Sequence, residues 1–176
     1  MYSIRDIISS LNETIELPKG SEKNGVAELV TKDESTIPEI DGRFVGVDDK
    51  YPARLYHRLL SVSTKLLPNK GYGDSAGDIS NTYSISMVVF LQHERAKLYP
   101  DELLLFIQSQ FPDKMKGQPY NDITITFSGA QLDSQSNWNQ EYRSGTDYRL
   151  KSDQFLFKIN YSIETKFSKG CFNECP

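Results

Sequence analysis

Residues 154–167 read QFLFKINYSIETKF, and no other stretch of the chain limits its folding so strongly. Phe155, Phe157, Ile159, Tyr161, Ile163, Thr165 and Phe167 alternate with Leu156, Lys158, Asn160, Ser162, Glu164 and Lys166. That is the two-residue period of a strand with one dry face and one wet face. A strand dry on one side needs a covering layer there, so the rest of the chain is read for elements that supply it.

Ile4, Ile7, Ile8 and Leu11 fall at helical spacing behind Ser3 and Asp6, a capping-box pair, and predict a helix that ends near Asn12. Residues 13–52 are dense in Pro, Gly and charge and read as an irregular, extended segment, with RFVGV (43–47) as its firmest strand. Residues 52–67 fit two patterns. Leu55, Leu59, Val62 and Leu66 match a helix, whereas Arg54, Tyr56, Arg58, Leu60, Val62 and Thr64 match one face of a strand. The Gly- and Ser-rich NKGYGDSAGDISN leads straight into TYSISMVVFLQH, and a hairpin is the shortest connection, which tips the reading slightly to strand.

YPDELLLFIQSQFP predicts the best helix, with Pro100 at its first position, Asp101 and Glu102 in the first turn, and Leu103, Leu104, Ile107 and Phe111 as its stripe. NDITITF reads as a strand, and DSQSNWNQEYR as a short helix with Trp138 and Tyr142 four apart. This order predicts one α+β domain over residues 1–176: a mainly antiparallel sheet, helices packed on one face, long hairpin loops, and a frayed tail over 168–176. A chain of 176 residues is long enough to bury a core without disulfides or metal.

The net charge of −4, from 24 acidic and 20 basic residues mixed along the chain, gives no general electrostatic reason to bind nucleic acid. No run approaches the roughly eighteen apolar residues of a membrane helix, and MYSIRDIISS carries acid and base where a signal peptide would be apolar. The expectation is a protein not secreted by the Sec route and not in a membrane. Cys171 and Cys175 allow half a metal site or a small disulfide loop. With only His57 and His93 elsewhere, two exposed thiols are the simpler reading.

The glycines of PNKGYGDSAGD lack the phosphate-loop pattern and precede no helix, so they read as a hairpin tip. Asp74 and Asp78 lack the ligand spacing of a calcium loop. His57 and His93 fall on expected strands without a triad or metal pattern and read as ordinary interface or surface histidines. Glu34, Glu39, Asp48 and Asp49 form no catalytic pair, and no enzyme, cofactor or metal is expected. Trp138 reads as core. Tyr142, Arg143, Tyr148 and Arg149 have the aromatic and basic mix of a protein contact, and Tyr72, in the loop over 68–80, joins them as an interface candidate.

Taken together, the helix SIRDIISSLN, the strand TYSISMVVFLQ leading into YPDELLLFIQSQF, then DITITF and the last strand resemble phage tail terminators and related tail-completion or head–tail connector proteins. The likeness is one of element order over residues 80–167 and the first dozen. It implies a non-enzymatic virion protein, made in the host cytoplasm, that forms a homo-oligomeric ring, a hexamer or higher, in the neck or at the tail end. The implied partners are other copies and neighbouring connector or tail proteins, with DNA passing through the lumen without sequence-specific binding. A small-ligand or carbohydrate-binding α+β domain is the alternative.

Overall fold

The computed structural model describes residues 3–32, 35–67, 78–117, 120–132, 134–142 and 150–168. In chain order the elements are α1 (Ile4–Thr14), β1 (Glu22–Val26), β2 (Glu28–Lys32), β3 (Ser35–Ile40), β4 (Arg43–Phe44), β5 (Ala53–Leu66) and β6 (Asp78–Gln92). There follow α2 (His93–Ala96), α3 (Pro100–Ser109), β7 (Lys114–Gly117), β8 (Tyr120–Gln131), α4 (Ser134–Glu141) and β9 (Gln154–Ser168). Six strands form one sheet in the order β1-β5-β6-β9-β8-β7, and β2-β3-β4 form a second. Every pairing is antiparallel except β1 with β5. The fold is therefore mixed α and β with mostly antiparallel sheets, as the sequence predicts.

The long terminal strand lies inside the sheet. β9 pairs with β6 rung for rung from Gln154↔Gln92 to Ser168↔Asp78, and with β8 on its other side. Residues 52–67 are strand β5, paired with β6 as the expected hairpin. The helical spacing of their leucines is incidental, because Leu55 alone of the four is buried.

Local chemistry sets the helices. Ser3 Oγ accepts from Asp6 N, and Asp6 Oδ2 accepts from Ser3 N at 2.6 Å, closing the predicted capping box. The bond from Ser3 N foremost, with a second from the Ser3 hydroxyl to Oδ2 at 2.9 Å, holds the Asp6 carboxyl below its usual pKa. In α3, Pro100 takes the first turn and Tyr99 N donates to Glu102 Oε2.

The helices divide between two faces of the sheet, where the sequence predicts one. α1 and α3 bury Ile7, Ile8, Leu11, Leu103 and Ile107 against Ile85, Met87, Val89, Phe157, Ile159, Tyr161 and Ile163. On the opposite face α4 lays Trp138 and Tyr142 over Tyr56, Val88, Phe90 and Leu156. Leu156 and Lys158, expected on the wet face of the last strand, are consequently buried. Nearer its end the strand keeps the expected contrast, with Ile163 and Thr165 buried and Lys166 exposed.

RFVGV contributes only Arg43–Phe44 as strand. Val45 turns into the second core, and Gly46 passes so close to the Tyr142 hydroxyl and the Phe44 ring that a Cβ there would collide with both. His93 opens α2 and so lies on a helix. Ser168, expected in the tail, ends β9. Among the described residues no helix is long and apolar enough to cross a membrane.

Ile159 is fully buried against the first helical layer. Ile159→Asp puts an unpaired carboxylate there and is predicted to cost about 3 kcal/mol or more. An unchanged midpoint in urea would contradict the face assignment.

Candidate functional site

β1 covers the outer side of β5 only at Arg54–His57. From Arg58 to Leu66 the strand carries no neighbour on that side among the described residues. Leu67 N donates inward to Asp78 O at 2.8 Å, and the antiparallel ladder alternates from there. Val62, Thr64 and Leu66 therefore direct their N–H and C=O groups outward. The side chains are apolar as well as open: Leu59 is 39% exposed, Leu60 54%, Val62 50% and Leu66 66%. Natural sheets guard such edges with charge, proline or bulges, because a row of free backbone groups templates another strand. Here the guards are the bulge between Leu59 and Ser61, and Lys65.

The opposite border of the sheet is likewise only partly covered among the described residues. β7 pairs with Tyr120–Thr124 of β8, and Ile125 N donates to Asp113 O. Beyond that bond Phe127 is 43% exposed. Sequence reading missed both edges, since which strands end a sheet is a property of topology.

Of the residues predicted to make a protein contact, Tyr142 is described and its ring is turned inward. It stacks on Trp138, with centroids 4.0 Å apart and planes 8° from parallel, and its hydroxyl accepts from Val47 N at 3.1 Å. Burial pushes this phenol well above its usual pKa. Tyr72, Arg143, Tyr148 and Arg149 lie outside the described residues, as do Asp74, Cys171 and Cys175.

Two buried polar groupings have the look of chemistry and are structural. Glu141, fully buried at the end of α4, accepts from Arg58 Nη1 at 2.6 Å and Lys158 Nζ at 2.7 Å, and from the Tyr56 hydroxyl at 3.3 Å. One carboxylate thus bridges two cations and clamps α4 to β5 and β9.

His57, expected at a surface or interface, is completely buried. Asn12 Nδ2 donates to Asn24 O, which leaves Asn12 Oδ1 to accept from His57 Nε2 at 2.8 Å. His57 Nδ1 then accepts from the Tyr161 hydroxyl at 2.8 Å. This chain of bonds ties α1, β1, β5 and β9 together, and it uses both ring nitrogens of a neutral imidazole. Burial alone lowers its pKa to about 3.

Among the described residues no three His, Cys, Asp or Glu side chains converge as a metal set. A cleft of about 160 Å³, lined by Arg5, Val26, Glu28, Glu39, Asp41 and Gly42, is smaller than the several hundred Å³ of small-molecule sites. No protein-family model matches the chain, and no curated protein matches it.

Two stability predictions follow from the buried groupings. Glu141→Gln removes the carboxylate that Arg58 and Lys158 share and is expected to cost about 3 kcal/mol. A denaturation midpoint equal to that of the unmodified protein would contradict the clamp.

The His57 pKa near 3 lies below its ordinary 6.5. Between those values the unfolded chain binds a proton that the folded chain does not, so stability falls as pH falls. The loss should reach about 2 kcal/mol by pH 5, where most carboxylates are still ionised. His57→Gln should flatten the pH 6.5–5 part of the profile, and an unaltered slope would remove His57 as its cause.

Proposed function

We propose that this protein is a non-enzymatic structural subunit that assembles with copies of itself into a ring in the neck or at the tail end of a phage virion. In this role it would join connector to tail around a lumen that passes DNA. The observation that carries the assembly reading is the outer edge of β5 over Arg58–Leu66, which no described strand covers, with outward backbone groups and four exposed apolar side chains. A monomer gains nothing from such an edge and risks aggregation, whereas a subunit uses it for recognition.

The buried polar groups described above tie the fold together, and the assembly reading assigns the action of this chain to its surface. The location in a virion rests on the resemblance in element order, from the first helix to the paired last strands. An acidic chain suits a lumen that DNA must traverse, because few phosphate contacts are offered.

Sedimentation across a wide concentration range tests the assembly. The expected result is a discrete species several times the 20.1 kDa of one chain, formed alone or on adding connector or tail-tube proteins. A persistent single-chain mass under both conditions would overturn the reading.

A further inference from the structure

We infer that the self-contact is heterologous, the β5 edge of one copy receiving the β7–β8 border of the next so that the six-stranded sheet continues from chain to chain. This rests on the assembly reading above and adds which surfaces meet. One rung crosses the sheet as Leu59↔Ile85, Ile85↔Tyr161 and Tyr161↔Phe127. Both of its ends are exposed apolar side chains, Leu59 and Phe127, and its interior belongs to the core under α1 and α3. Leu59 and Phe127 therefore project on the same face, where a continued sheet would set them across one strand position that β1 of one copy and β7 of the next fill from opposite ends.

The two borders are also stepped in opposite senses about that rung. On the β5 border, β1 fills the side towards Arg54–His57 and leaves Val62–Leu66 open. On the β8 border, β7 fills the side towards Tyr120–Thr124, and no described strand pairs with the outer side of Gly129–Gln131, where Gln131 O accepts from Asn137 Nδ2 at 2.9 Å. A second copy in the same orientation sets its β7 against the Val62–Leu66 step, while β1 meets its Gly129–Gln131 step. Chain directions follow from the pairings: the neighbour's β7 runs parallel to β5 and meets Val62–Leu66 as a parallel strand, while β1, parallel to β5, meets the neighbour's β8 antiparallel. A contact between two different patches leaves each new copy with one free border, and repetition closes a ring when the rotation from copy to copy divides a full turn.

Complementation between full-length variants tests this. Val62→Pro removes an outward N–H on β5. Phe127→Pro does the same on β8, since Ile125 N, two residues earlier, points outward to Asp113 O. Neither removes a bond to β6 or β9, and circular dichroism confirms that each variant folds. If either does not, Val62→Lys or Phe127→Lys replaces it and leaves the backbone intact.

Each variant alone should stay at the mass of one chain at concentrations where the unmodified protein assembles. Their equimolar mixture should give a two-chain species and stop there, because one intact β5 border meets one intact β8 border. If the Phe127 variant still self-associates while the mixture gains nothing, the contact is β5 against β5 and the inference is overturned. Assembly of both variants like the unmodified protein would overturn it as well. An unmodified protein that never assembles would overturn the assembly reading itself.

Discussion

The antiparallel ladder between β6 and β9 is the interaction on which the rest of the structure depends. The two strands are paired from end to end, and every other strand of the large sheet joins through one of them. Because side chains alternate along both strands, the ladder offers two apolar faces at once. Ile85, Met87, Phe157 and Ile159 receive α1 and α3, while Val88, Phe90 and Leu156 receive α4. A one-residue slip would exchange the two faces and set each helix against side chains shaped for the other. Both layers together therefore fix the register that neither would need to fix alone.

The second face is the more costly to build. It buries Glu141 and Lys158 beside a half-buried Arg58, and desolvating such groups consumes much of what their attraction returns. What the cluster gives is direction: α4 has few apolar side chains besides Trp138, and its buried carboxylate can meet both cations in only one placement. The same cluster anchors β5 at Arg58, the residue where the cover provided by β1 has ended. The exposed part of β5 thus springs from a fixed root, which suits a strand held ready for a neighbour.

Much of the fold was legible in the sequence because its signals are local. The Ser3–Asp6 box, Pro100 ahead of its leucine stripe and the alternation over 154–167 each specify an element within a few residues. The second helical face was illegible because Lys158 looks like solvated charge until Glu141, seventeen positions away, is folded over it. His57 was misplaced for the same reason, its partners being Asn12 and Tyr161. The candidate site was the least legible. Leu59, Leu60, Val62 and Leu66 resemble ordinary strand residues, and only the strand order shows that nothing among the described residues pairs with their outer side.

Amide hydrogen exchange at Val62, Thr64 and Leu66, followed as protein concentration rises, tests the role of the β5 edge most directly. These three N–H groups point away from β6, so in a single chain they should exchange rapidly while the inward amides of the same strand stay protected. Assembly through the edge predicts that their exchange slows as the oligomer forms, with the inward amides unchanged. Equally rapid exchange at these three positions in an oligomer of proven mass would contradict the account, because the copies would then be joined through another surface.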